Sequence, residues 1–323
     1  QRSGFCLMRG LHDAWLNADG RMLRAFCLAV AVAIVGTHVL IVGGWVDVGQ
    51  SVHLQPGLSW GGLLLGGVLF GLGMVLANGC GARALVLLAT GNLRSLLVLL
   101  ALGLGAGMIL TGVFAEARLF LMAETRIEPP WGTPALDGLA MHWLGASVWV
   151  GWLPALLLPG LLLVYCFASP RFAGSPRHWF SGLAVGLLVV AGWIVTGWLG
   201  ADPFEPVPVG SFSFVAPVGD SLLYLMLATG VPLDFGVALV AGVVLGSLGS
   251  ALLGRQFWLQ GFSTPREMLV YGSGGLLMGI GGGLALGCSI GQGITGLSTL
   301  SLGSVIAVAG ILIGARAGLW WRR

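Results

Sequence analysis

Eight apolar runs of about 20 residues, separated by short polar connections, limit what this chain can become. They are Ala25–Gly44, Leu58–Ala77, Ser95–Ala115, Leu144–Phe167, Trp179–Leu199, Phe235–Leu253, Leu269–Gly287 and Leu302–Trp321. A helix needs about 20 residues to cross a bilayer core, whereas barrel strands are half as long and alternate in polarity. The runs therefore predict an all-α polytopic membrane protein. Only 8% of residues are charged and 57% are hydrophobic, whereas soluble chains are about a quarter charged. Trp45, Trp60, Trp143, Trp198 and Trp320 fall near run ends, where interfacial tryptophans belong. Thr264-Pro-Arg-Glu267 predicts a capping box opening the seventh run, and Asp234 an N-cap for the sixth.

Three further apolar pieces are too short or too glycine-rich to cross: Gly79–Thr90, Phe212–Ala228 and Ser289–Leu300. They predict re-entrant half-helices, which survive at membrane depth only when protein surrounds them. Ser3–Leu11 reads as the tail of another such element, followed by a loop with Asp13 and Asp19. Glu116–Asp137 reads as a polar, amphipathic connection between the halves.

All the basic side chains are arginine. Without lysine there is no Walker A loop and no Schiff-base chemistry. When sides alternate span by span, one face collects Arg2, Arg9, Arg21, Arg24, Arg83, Arg94, Arg171, Arg177, Arg255, Arg266, Arg322 and Arg323. The other face keeps only Arg118 and Arg126. The positive-inside rule makes the first face cytoplasmic, and the C-terminus with it.

The pattern of spans and half-helices repeats. Residues 179–323 read span, half-helix, span, span, half-helix, span, and residues 1–143 read the same with the leading span absent. The chain thus reads as starting inside a motif. Residues 144–178 form a linker span, and an odd number of spans separates equivalent positions. The halves are expected to be inverted repeats, an architecture of secondary transporters.

Chemistry concentrates where the repeat is broken by glycine. Asn78-Gly79-Cys80 opens one half-helix, with Arg83 three residues on, and Gly287-Cys288 opens another, with Gln292 four residues on. A thiol at a helix N-terminus meets free amide groups and the positive end of the dipole, which favour an anion. A neutral thiol is a soft, weak donor suited to sulfur. Cys6 would complete a set of three. Competing readings exist for each. Free cysteines are usually inert core residues, the expected reading for Cys27 and Cys166. Arg83 could serve backbone carbonyls, Arg94 membrane topology, and mid-span His38 simple packing. No CxxC or HxxxH occurs, so neither metal nor cofactor is expected.

The segments Ala77-Asn-Gly-Cys-Gly-Ala-Arg83, Thr90-Gly-Asn-Leu-Arg-Ser95, Gln1-Arg-Ser-Gly-Phe-Cys6 and Leu284-Ala-Leu-Gly-Cys-Ser-Ile-Gly-Gln292 resemble the YeeE/YedE sulfur-transport family. The resemblance covers essentially the whole chain. It implies a bacterial inner-membrane protein importing thiosulfate, with spanning and short helices forming an hourglass. It also implies a cysteine relay through S–H···S hydrogen bonds, at Cys6, Cys80 and Cys288 here, and a small cytosolic sulfurtransferase as partner. Two alternatives stand beside it: transport of another sulfur or selenium anion, and a membrane enzyme forming a persulfide. The second lacks a general base near its thiols in sequence.

Overall fold

The computed structural model describes residues 4–145, 148–201 and 207–322. Gln1–Ser3 of the opening motif, with Arg2, and the terminal Arg323 lie outside the described residues. Among the described residues the regular structure is helical, apart from a two-residue pairing of β1 (Leu58–Ser59) with β2 (Arg126–Ile127) and two isolated bridges.

The first half contains α1 (Leu7–Leu16), α2 (Arg21–Val42), α3 (Trp60–Leu76), α4 (Gly81–Leu88) and α5 (Leu93–Leu110). A short helix, α6 (Ala115–Glu124), opens the stretch expected to be an amphipathic connection, and a second, α7 (Leu136–Leu144), begins at its end. Then follow α8 (Val148–Phe167), α9 (Pro170–Ala173), α10 (Pro176–Ile194), α11 (Val215–Leu227), α12 (Phe235–Leu253), α13 (Pro265–Leu284) and α14 (Leu302–Trp321). A π-helical turn over Gly291–Gly296 stands between the last two. The protein is a polytopic membrane protein in which, among the described residues, seven helical stretches are long and apolar enough to cross a bilayer. α13, expected to span, is just as long at 20 residues. Its polar Pro265-Arg-Glu267 opening and its many glycines make it less apolar than the seven.

Those glycines locate the core. Glycine in a helix interior costs about 1 kcal/mol relative to alanine, so a glycine-rich helix needs a packing reason. Here backbones touch. A Cβ on Gly281 would lie 2.6 Å from the Gly66 carbonyl, and one on Gly66 2.6 Å from that of Gly281. Gly73 and Gly274 face each other in the same way. α13 is thereby wedged against α3, and Gly275 and Gly105 bring it equally close to α5. On the other flank, α3 and α14 meet through Gly67, Gly71, Gly310 and Gly314. The result is a slab of α14, α3, α13 and α5 held at backbone contact, as small residues permit. In the stretch through α3, 67% of residues are buried, against 17% in α8 and in α12, which form the outer rim.

Both predicted caps form. Thr264 accepts from the Glu267 N–H at 3.2 Å, while Glu267 reaches back to Ser263 N–H at 3.0 Å. The Asp234 carboxylate accepts from Val237 N–H at 2.7 Å. Cys6 differs from expectation: it starts helix α1 instead of lying within the tail of one, and α1 runs on through the predicted loop at Asp13.

α3 and α13 end alike. Asn78 and Leu286 take left-handed conformations at φ 55° and 54°. Gly79 N–H bonds to Met74 O at 3.0 Å, and Gly287 N–H to Gly282 O at 2.8 Å. With Asn78 N–H on Val75 O at 3.2 Å, this is a Schellman turn. Asparagine tolerates the left-handed region and β-carbon residues pay for it. Asn78→Ala should therefore lower stability by about 1 kcal/mol and Asn78→Gly should not. Thermal unfolding of the purified protein checks this, and equal melting of the two variants would refute it.

Candidate functional site

The two Schellman turns aim the chain back into the protein just before Cys80 and Cys288. A third left-handed residue, Gly4 at φ 65°, stands two positions before Cys6, as Asn78 and Leu286 stand two before Cys80 and Cys288. Cys80 and Cys288 each follow such a turn, and each of the three cysteines precedes a short helical segment. Cys6 is the extended N-cap of α1 and Cys80 that of α4. The Cys288 carbonyl accepts from Gln292 N–H at 2.7 Å, and its Sγ from Gly291 N–H at 3.2 Å. The backbone N–H of Phe214, at the foot of α11, also approaches that sulfur. The backbone N–H groups of Arg9 and Arg83, each three residues on, likewise approach the Cys6 and Cys80 sulfurs.

All three thiols are buried, at 3%, 4% and 2% exposure for Cys6, Cys80 and Cys288. The Cys6 and Cys80 side chains are neighbours, and the Arg83 guanidinium lies within interaction range of the Cys6 thiol. Cys288 is within electrostatic range of Cys80. Cys80 is thus the sulfur that interacts with both others. Cys166 lies apart, its thiol donating to Arg24 O at 3.1 Å. Cys27 packs in the same satellite cluster.

Cys80 stands at one end of a cavity of about 290 Å³ whose polar lining includes Asn78, Arg83, Asn92, Arg94 and Gln260. Two arginines in it behave differently. Arg94 is committed: it pairs with Glu267 at 2.6 Å and donates to Gly261 O at 2.9 Å, stitching the loop before α13 to the start of α5. Arg83 has no carboxylate partner among the described residues, which leaves its charge for an anion. Gly79 lets this happen, since a Cβ there would lie 3.1 Å from Arg83 Cδ.

Gln292 is the counterpart of Arg83 in the second half, and a Cβ on Gly287 would lie 3.1 Å from its Cγ, as one on Gly79 would from Arg83 Cδ. Its amide is already engaged. Nε2 donates to Ala285 O at 2.6 Å, and Oε1 accepts from Ser304 at 2.6 Å. In this arrangement Gln292 braces the turn that carries Cys288. More bonds tie the same segment down: Thr295 donates to Phe212 O at 2.8 Å, and Trp193 Nε1 to Ser298 at 3.2 Å. His53, on the connection after α2, has its Nδ1 buried without a hydrogen-bond partner among the described residues, beside Gly296 with Gln292 and Ser304. Burial pushes its imidazole down to about 4, against a contact with Gln292 that raises it. The unfolded chain therefore binds the extra proton first as pH falls. The stability that neutral His53 supplies is complete above about pH 6.5 and drains away toward pH 4. Melting temperature should fall across that window in the parent and less steeply in His53→Gln, and parallel profiles would refute the assignment.

Three lining or neighbouring residues were not legible beforehand. Gln260 reaches the Cys80 cavity because the loop before α13 pairs with Thr90–Asn92, through bonds such as Gln260 N–H to Gly91 O at 3.0 Å, and Tyr271 because α13 packs on α5. Arg9 did leave a signal: Cys6-x-x-Arg9 has the spacing of Cys80-x-x-Arg83. It is paired with Asp13 at 3.5 Å.

Thiols presented by short helices inside a slab of spanning helices, beside a cavity with an uncompensated cation, define a membrane transport protein. A profile of the sulphur transport family matches residues 2–317. The chain belongs to that family. It is 25% identical to the thiosulfate transporter TsuA of Escherichia coli (strain K12), covering 99% of this chain and 90% of that one. It is 26% identical to the protein of the same name from Spirochaeta thermophila, over 99% of this chain and 94% of the other.

Proposed function

We propose that this protein imports thiosulfate across a bacterial inner membrane, with Cys6, Cys80 and Cys288 handing the ion along by S–H···S hydrogen bonds. The observation that carries the reading is the burial of three thiols, far apart in sequence, in one core cluster, with Arg83 beside Cys6 and Cys80. Arg83 and the amide-rich starts of the short segments attract the dianion. The thiols then grip its soft terminal sulfur weakly, as conduction requires. Cys80 is the middle station. The names of the two relatives support thiosulfate over other sulfur or selenium anions. The reading has no enzymatic step.

The halves, 1–143 and 179–323 around the linker 144–178, act as inverted repeats with their C-terminal end cytoplasmic. The matched turns at Asn78 and Leu286 support this. So do the stripes Ala25, Ala29, Ala33, Gly36 on α2 and Ala238, Gly242, Gly246, Gly249 on α12, which share one spacing. A small cytosolic sulfurtransferase taking the ion from the cavity side is the partner this reading calls for.

The test is uptake of labelled thiosulfate into proteoliposomes. Arg83→Ala should lose at least about ten-fold in initial rate, the scale of one charge-assisted contact, and Arg83→Lys should keep part of it. Unchanged uptake in Arg83→Ala would remove the arginine from the mechanism. Retained sulfur on the protein after exposure, seen by intact mass, would turn the reading toward the persulfide enzyme.

A further inference from the structure

A second cavity lies away from the cysteines, in a groove between α2 and α8. It measures about 420 Å³ and is lined chiefly by Val35, Val39, Val42, Trp45, Trp152 and Leu156. One strongly polar side chain, His38, enters it. His38 Nδ1 lies 2.9 Å from Ile34 O. A carbonyl only accepts, so Nδ1 carries the proton. An imidazolium facing hydrocarbon is costly, so the ring is neutral and Nε2 is a bare acceptor. It has no partner among the described residues.

The depth of the groove is set by its neighbours. His38 stands one turn inside the end of α2 at Val42, about 6 Å along the axis. Trp45 follows that end and is 56% exposed. Trp152, near the start of α8, meets the His38 ring edge-on at 6.2 Å between centroids. Tryptophans at this level mark the boundary between hydrocarbon and headgroups. The groove therefore faces lipid with valine and leucine along its length and an acceptor between two indoles at its polar end.

We propose that this groove binds a membrane phospholipid with a primary-amine headgroup. Its ammonium donates to His38 Nε2 beside the faces of Trp45 and Trp152, and an acyl chain lies along Val35, Val39 and Leu156. The acceptor at the polar end calls for a donor, and indole faces attract cations. No arginine lines the groove, so an anionic headgroup gains nothing there. The inference is independent of the thiosulfate reading.

The discriminating experiment is native mass spectrometry of the purified, delipidated full chain, titrated with phosphatidylethanolamine or phosphatidylcholine of identical chains. These headgroups share zero net charge, and only the first has N–H donors. The parent should retain the ethanolamine lipid roughly ten-fold better, the scale of one charge-assisted hydrogen bond away from water. His38→Leu should erase that preference, and His38→Gln, whose side-chain oxygen accepts, should restore part of it. Ala155→Phe should lower retention of both lipids by filling the groove. Equal retention of the two lipids by the parent, or a preference that survives His38→Leu, would overturn the proposal. So would stronger retention of phosphatidylglycerol than of phosphatidylethanolamine.

Discussion

Thiosulfate uptake by Cys6→Ala, Cys80→Ala and Cys288→Ala is expected to fall about ten- to hundred-fold each, while Cys27→Ala and Cys166→Ala stay near the parent rate. The reasoning follows from desolvation. A dianion entering a buried waist gives up water, and each missing donor leaves a penalty of about 1–3 kcal/mol unrecovered. Cys80 should be the most sensitive, because it interacts with both other sulfurs. Cys166 spends its thiol on Arg24 O, so its loss trims stability without touching the path. Serine replacements sharpen the test, since a hydroxyl keeps the donor but is harder and shorter than a thiol. Cys80→Ser should fall between parent and alanine. Growth on thiosulfate in cells lacking other sulfur importers, with protein levels checked by blot, reads all of these. Full uptake in the three path variants would end the relay and leave Arg83 and the helix ends as the conducting elements.

What could be read beforehand divides along physical lines. Apolar runs and capping residues act locally, so the spans, the Thr264 box and the Asp234 cap were legible from their own sequence. The placement of Cys80 and Cys288 at the starts of short helical segments was legible because glycine followed by cysteine occurs twice at such points. Gln292 shows the limit. Its position invited a role like that of Arg83, yet Ser304 and the Ala285 carbonyl already hold both ends of its amide. Those partners are assembled by the fold and leave no mark at Gln292. Gln260 and Tyr271 were hidden for the same reason, since the loop that follows α12 and the first turns of α13 are brought back to the Cys80 cavity. α13 posed a different problem. Its glycines lower its hydropathy below that of the other long helices, although they serve burial against two neighbouring backbones.

Those glycines support the other large expected effect. Gly314→Ala should prevent normal accumulation of the folded protein, because a Cβ there collides with the Val68 carbonyl. Gly71→Ala, facing the Ile311 carbonyl, and Gly279→Ala, facing that of Leu102, should behave alike. The obstacle in each case is backbone, which cannot rotate aside, so the helices must separate. Overpacking usually costs about 1–3 kcal/mol, and alanine recovers only about 1 kcal/mol of helix propensity, so the collision wins. Gly242→Ala and Gly107→Ala are the matched controls: nothing lies within 4 Å of a Cβ at either, so both should be neutral or slightly stabilising. Monodisperse yield and melting temperature in detergent separate the two groups, and equal behaviour of Gly314→Ala and Gly242→Ala would disprove backbone contact in the slab. Transport is coupled to the same contacts. The facing pairs Gly66 with Gly281 and Gly73 with Gly274 fix how α3 lies on α13, and those helices end in the turns that present Cys80 and Cys288. A Gly274→Ala protein that still folds should therefore lose uptake without loss of any thiol, because spreading the two helices spreads the two sulfurs.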